Sequence, residues 1–209
     1  NSYNLSAGFQ AYEKLGTKHS DRYQYVSNYD FSKNLDFEKL TGSVNFYSSG
    51  SSNLQNTNNL TSLITNDIHY NSKSYFTNSG FNNKFNLYFK NLNSVGKNDP
   101  IYRSSPRVEG MSIFEISSSL PLVKKNNFNK EILTPKISFR MNPGNNMKNH
   151  TSKNQIITAN NAFDINRLGI SNSFESGKSV TMGFDYKLDF ENKNNSEEKY
   201  LEFKLASVF

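Results

Sequence analysis

Lys136 and Arg140 stand four residues apart in the stretch Leu133-Thr134-Pro135-Lys136-Ile137-Ser138-Phe139-Arg140-Met141. Both are in phase with Ser138 and out of phase with Leu133, Ile137, Phe139 and Met141, so a strand here sends them to its polar side. Between Pro121 and Asn160 the cations are Lys124, Lys125, Lys130, Lys136, Arg140, Lys148 and Lys153, with Glu131 the one acid; this local excess equals the formal net charge of +6 of the whole chain. Cations on a water-filled wall attract phosphates and acidic sugars, and a guanidinium adds bidentate geometry. The remaining lysines read equally well as solvated loop residues. Other candidate chemistry is sparse. His19, His69 and His150 lack metal-ligand spacing. Glu197-Glu198 beside Lys199 reads as a solvated charge cluster. There is no cysteine, no Gly-x-Ser-x-Gly elbow, no P-loop and no Gly-x-Gly-x-x-Gly run. The expectation is a non-enzyme with no catalytic residue, metal or cofactor. No nucleic-acid partner is expected either, because no binding fold or Arg-rich stripe is present.

The elements that must carry these residues are strands. Apolar and polar residues alternate along the chain with a period of two. Tyr3, Leu5, Ala7, Phe9 and Ala11 alternate with Asn4, Ser6, Gly8 and Gln10. Tyr23, Tyr25, Tyr29 and Phe31 follow, then Leu40, Val44 and Phe46, then Leu60, Ile64, Ile68 and Tyr70. Next come Phe81, Phe85, Leu87 and Phe89, then Val108, Phe114, Ile116 and Leu120, and then the Leu133 stretch. The last two segments are Val180, Met182, Phe184, Tyr186, Leu188, Phe190 and Leu201, Phe203, Leu205, Phe209. That makes about nine segments, most near the ~9–11 residues that a tilted strand needs to cross a bilayer. Pro106, Pro121 and Pro135 suit strand edges or turns, and Gly183 suits a bulge or a close backbone approach. Ser/Asn-rich stretches such as 48–53 and 192–196 read as turns. Connections near 34–39, 71–80, 122–130 and 191–198 are read as shorter than those near 51–59, 94–107 and 142–178, an alternation expected of an outer-membrane barrel.

Composition narrows the classes. Hydrophobic residues make up 34 % of the 209 residues, yet the chain has 17 Phe and 12 Tyr. Disordered chains are poor in aromatics, and no run approaches the ~20 apolar residues of a spanning helix. The reading is an all-β, antiparallel, up-and-down transmembrane β-barrel, with about nine strands of a larger barrel. Its apolar side meets lipid and its polar side a water-filled lumen. Alternation alone does not separate this from a β-sandwich or solenoid whose apolar side faces a core. A porin-like passive channel and a soluble adhesin module also remain open.

A second signal lies in the order of motifs after Val108. Ser118-Ser119-Leu120-Pro121-Leu122 precedes Leu133-Thr134-Pro135-Lys136-Ile137-Ser138-Phe139. A long connection leads to Asn161-Ala162-Phe163-Asp164-Ile165-Asn166-Arg167-Leu168-Gly169, and then to Phe174-Glu175-Ser176-Gly177-Lys178-Ser179-Val180-Thr181-Met182-Gly183. In this order, and with Ser20-Asp21-Arg22-Tyr23-Gln24-Tyr25 upstream, the chain resembles the LptD family of outer-membrane lipopolysaccharide-assembly proteins. It departs from the family pattern at Asn172-Ser173, where Asp-Arg is usual, and near Ser27, where a Pro is usual. The resemblance implies that residues 1–209 are an interior part of a single outer-membrane β-barrel domain, with an N-terminal periplasmic domain and closing strands outside it. It implies transport and insertion of lipopolysaccharide into the outer leaflet. Partners would be lipopolysaccharide, outer-membrane lipids, an LptE-like lipoprotein plug, and the periplasmic Lpt bridge through the missing N-terminal domain. Lys136 and Arg140 are then candidate lumen contacts for lipopolysaccharide, and Phe163 and Arg167 candidate structural anchors of a loop. The aromatic Phe209 reads either as a barrel's terminal insertion signal or as a cut within a strand, and the cut is preferred.

Overall fold

The structure is a computed structural model and describes residues 2–15, 22–35, 41–126, 129–144, 156–168, 175–190 and 199–209. Its eleven strands are β1 (Tyr3–Glu13), β2 (Tyr23–Leu35), β3 (Gly42–Gln55), β4 (Asn59–Ser72), β5 (Tyr75–Phe76), β6 (Asn82–Lys97), β7 (Arg107–Ser119), β8 (Leu122–Lys125), β9 (Asn129–Asn142), β10 (Gly177–Phe190) and β11 (Lys199–Val208). They form one antiparallel sheet in the order β1-β2-β3-β4-β6-β7-β9-β10-β11. The short β5 and β8 pair with the starts of β6 and β9. Each long strand thus pairs with its neighbours in sequence, as an up-and-down meander does. The sheet is open, since β1 and β11 each pair on one side only.

Register sorts the side chains. Phe85, Ile116, Phe139 and Val180 are successive partners across β6, β7, β9 and β10. Phe209 extends this row through reciprocal backbone hydrogen bonds with Val180. Tyr3, Lys33, Phe46, Ile68 and Phe89 make a second row, from β1 to β6. Strand parity puts these rows on one face and Asn86, Glu115, Arg140 and Ser179 on the other. The apolar face is the open one: Phe9 is 70 %, Phe203 52 % and Val108 74 % exposed. β1 is exposed on both faces, but over β6, β7, β9 and β10 the polar face is the covered one, with Lys90, Glu115, Ser138, Arg140 and Thr181 all buried. A small core of Leu92, Met111 and Ile113, flanked by Leu63, Tyr88 and Ile165, also lies there.

The apolar rows run obliquely across the sheet. The apolar set of β1, from Tyr3 to Ala11, occupies rows that meet β6 from Phe89 to Lys97. The apolar set of β10 begins in the row of Phe85 and continues away from Phe89, through Met182, Ile137 and Ser118 to Asn83. The two sets share no row. A polar seam also crosses the apolar face, in the rows of Leu5 and Ala7. Tyr29 Oη lies 3.1 Å from Ser48 Oγ, which donates to Asn66 Oδ1 at 2.7 Å. Asn66 donates to Asn91 at 3.1 Å, and Asn91 to the Glu109 carbonyl at 3.1 Å. The seam thereby pairs polar atoms across β2, β3, β4, β6 and β7.

Several local expectations are corrected. The Ser48–Asn53 stretch is strand, because it has ladder partners on both sides, in β2 and β4. The β3–β4 connection is therefore only 56–58, and Asn56 and Thr57 supply the positive φ that its tight turn needs. With it goes the alternation of long and short connections; only 143–176 is much longer than the rest. Pro135 lies inside β9 but at the junction where the pairing of β9 passes from β7 to β8, so its missing N–H interrupts little. Gly183 makes no bulge: its register with Lys136 and Ala206 is continuous. A Cβ there would collide with the Leu205 carbonyl and Ala206 Cα, which is the close approach. Gly183→Val should cost about 2 kcal/mol and loosen β10–β11, read as faster amide exchange from Leu201 to Ala206 with β3–β4 unchanged.

Candidate functional site

The covered polar face is built around segment 156–168, which folds onto β6, β7, β9 and β10. Its shape is set locally. Asn161 Oδ1 accepts from the Thr158 N–H at 2.7 Å, Asn161 Nδ2 donates to the Ile156 carbonyl at 3.0 Å, and the Ala162 N–H donates to the Thr158 carbonyl at 2.9 Å. This is the side-chain turn chemistry for which Asn is suited. Ala162 is buried, Thr181 Oγ1 donates to its carbonyl at 3.4 Å, and Ile165 packs on the Leu92–Met111–Ile113 core.

Glu175 is the electrostatic hub. Arg167 grips its carboxylate through two hydrogen bonds, Nε–Oε2 at 2.6 Å and Nη2–Oε1 at 2.7 Å. Arg140 donates to the Ile165 carbonyl at 3.1 Å and to the Glu175 carbonyl at 2.8 Å, and Asn142 donates to the latter at 3.1 Å. Two residues of β9 thereby hold both the segment and the residue that leads into β10. The Arg167 hydrogen bonds, aided by the charges of Arg167 and Arg140, hold the Glu175 carboxyl below the usual carboxylate range against the opposing effect of burial.

Lys136, Ser138 and Arg140 do share the polar face, but they are not equivalent there. Arg140 is buried, and its guanidinium is occupied by backbone carbonyls, with the Glu175 carboxylate 3.8 Å away. In this arrangement it holds the segment and is not free for a ligand. Lys136 is more open; it ion-pairs with Asp185 and its Nζ lies 5.7 Å from the centre of the Phe163 ring. Phe163 and Arg167 both belong to the docked segment. His69 lies between Tyr47 and Tyr88, its ring tilted to both, with ring centres 5.2 and 4.0 Å away. His19, His150, Leu40, Gly169, Phe174 and the Glu197-Glu198 pair lie outside the described residues. Among the described residues no group of three His, Cys, Asp or Glu side chains could hold a metal ion.

Glu115, Glu175, Asp185 and Tyr88 were not singled out as site residues from sequence. Glu115 follows Ile113-Phe114, two adjacent apolar residues that point to opposite faces, so the alternation loses its phase there. Buried Glu115 accepts from Ser138 at 2.8 Å and from Asn86 at 3.2 Å. Beside it opens a cleft of about 590 Å³, lined by Lys84, Asn86, Tyr88, Glu115 and Lys136 from the strands and by Phe163 to Asn166 from the segment. Such a volume suits a small ligand. No protein-family model, curated protein or solved structure matches the chain.

A carboxyl whose pKa is depressed on docking contributes stability that is fully present above its undocked pKa and is lost as pH falls through the lowered value. Amide protection of 156–168 should therefore persist at neutral pH and decline only below the usual carboxylate range. Glu175→Gln should weaken docking by about 3 kcal/mol, the scale for breaking a largely buried ion pair, and remove this acid transition. Hydrogen exchange measured against pH checks both outcomes.

Proposed function

We propose that residues 1–209 are part of an outer-membrane β-barrel that transports lipopolysaccharide to the outer leaflet, in the manner of the LptD family. The observation that carries the membrane reading is the inverted distribution of side chains: the apolar face of a nine-strand meander is open, while over β6, β7, β9 and β10 it is the polar face that is covered. Such a face suits acyl chains. A lipid-exposed sheet must also satisfy its backbone edges, so the free edges of β1 and β11 call for further strands.

The oblique run of the apolar rows supports the same reading. Barrel strands tilt by ~40° and lie ~4.8 Å apart, so the membrane plane shifts along the sheet by ~4 Å, a little over one residue, at each step. Seven steps from β1 to β10 displace it by on the order of ten residues. A band that shares no row between β1 and β10 agrees with that displacement. The seam from Tyr29 to Asn91 is tolerable in such a setting because its polar groups pair with one another.

The lipopolysaccharide cargo rests on the ordered motifs between Ser118 and Gly183 and on the cationic character of the β9 region. Of the two cations first singled out there, Lys136 is the more exposed, and it is the one proposed to meet cargo. An LptE-like plug and a periplasmic Lpt bridge belong to the same proposal. A porin-like channel is the second reading, favoured by one observation: segment 156–168 narrows the polar side, as a constriction loop does.

Phe184→Lys should cost about 2–4 kcal/mol if this position meets the bilayer midplane, and should move the protein out of the urea-resistant outer-membrane pellet. Lys204→Gln, on the polar face, should leave it there. Equal behaviour of the two variants, with wild type extracted without detergent, would falsify the membrane reading. A photo-reactive residue at 136 should label lipopolysaccharide in intact cells. Labelling no stronger than from a residue at 140 would favour the porin.

A further inference from the structure

We infer that the outer edge of β8 is a docking strand for an extended segment of a partner protein, acidic in one half and apolar in the other, which adds to the sheet beside Leu122–Lys125. The edge is open by register. β6 starts at Asn82, opposite Ser119, and the 77–81 turn before it brings Gly80 beside Leu120. Past that point the chain continues as β8, which pairs only with β9 among the described residues. On either side of β8 the Leu120 N–H donates to the Pro135 carbonyl at 3.0 Å and the Asn126 N–H to the Asn129 carbonyl at 2.9 Å. Successive residues of an antiparallel pair alternate in the direction of their hydrogen bonds. Leu122 and Lys124 therefore bond to β9, and Val123 turns its N–H and C=O outward. Pro121 lies on the same edge but has no N–H to offer. An edge that presents both groups accepts another strand.

The side chains of β8 say what that strand must carry. All four residues are exposed, Val123 by 58 % and Leu122 by 48 %, so apolar neighbours would cover them. Charge sets the other half. Lys124 has 69 % of its side chain exposed and lies 3.9 Å from Glu131. Lys125 stands opposite Lys130 in the ladder, and like charges directly opposite each other destabilise a strand pair. Asp189, the β10 partner of Lys130, is held by Lys187 at 2.7 Å. Carboxylates on an added strand would offset this cationic surplus. In antiparallel register the block Leu-Val-Lys-Lys calls for acid, acid, apolar, apolar in the partner's N-to-C direction.

This inference goes beyond the transport proposal and holds whichever medium meets the apolar face, so the two can fail separately. The probe is a fluorescent dodecapeptide with Glu-Glu-Val-Val at its centre, titrated into the full chain in detergent micelles and read by anisotropy. It should bind and slow amide exchange at Val123. N-methylation of its first Val removes the N–H opposite Val123 and should weaken binding about tenfold, the scale of one lost ladder hydrogen bond. A Lys-Lys-Val-Val peptide should bind about tenfold more weakly than the acidic one, and Lys124→Glu combined with Lys125→Glu should reverse that order. Only exposed side chains change in this variant, and unaltered amide exchange in β3–β4 checks its fold. No binding of the acidic peptide, equal binding of the N-methylated or the lysine peptide, or protection of Val123 that rises with protein concentration alone, which would give the edge to a second copy, would each overturn the inference.

Discussion

The backbone ladder constrains everything else in this molecule. From β1 to β11 each long strand is hydrogen-bonded to the next, and the registers carry parity from one strand to the next. Once Phe85 points to one side, Ile116, Phe139 and Val180 must follow. A slip of one residue anywhere would reverse every side chain beyond it. The sheet therefore has two chemically distinct faces, and the energetic question is what each face meets. Water on one side and a second sheet on the other is the common answer for soluble antiparallel sheets. Here the burial runs the other way, and over β6, β7, β9 and β10 it is the polar side that is covered.

That covering shows how a polar surface can be buried at tolerable cost. Glu115, Arg140, Asn142 and Arg167 are all shielded, and each makes hydrogen bonds or ion pairs. Burial without such partners costs several kcal/mol per charge. Of the apolar residues of the segment, Ile156 and Ile157 stay exposed, Ala162 is buried, and Ile165 packs on the Leu92–Met111–Ile113 patch. The Arg140 and Arg167 contacts to Glu175 then set its position. Docking of this kind is specific in geometry yet sensitive to single charges, which suits a segment that borders a cleft.

The proposed activities follow from separate parts of the sheet. The open apolar face and its oblique rows bear on membrane residence. The docked segment bears on what passes on the polar side, and the edge of β8 on what joins the sheet. A cationic stretch in the sequence led to an anion-contact expectation, but folding partners its members differently. Arg140 is occupied by carbonyl oxygens and Lys136 by Asp185. The acids that balance them, Glu115 on β7, Glu175 before β10 and Asp185 on β10, lie far away along the chain.

Strand identity and facing were readable from the residues alone wherever one apolar residue alternated with one polar residue, as from Val180 to Phe190 and from Leu201 to Leu205. Parity is a local property, and a two-residue period needs no knowledge of partners. The same reasoning placed Lys136 and Arg140 on the side of Ser138. It failed at Ser48–Asn53, where turn-forming residues became strand because β2 and β4 supplied hydrogen-bond partners from either side. It also lost Met111 and Ile113, whose apolar side chains point to the polar face and matter only because Ile165 comes down on them. Which cation is held and which stays open, and where a cleft forms, were decided by the tertiary structure, since they depend on contacts between residues tens of positions apart. Sequence periodicity reports the direction a side chain leaves the backbone; only the folded chain brings up the group that it meets.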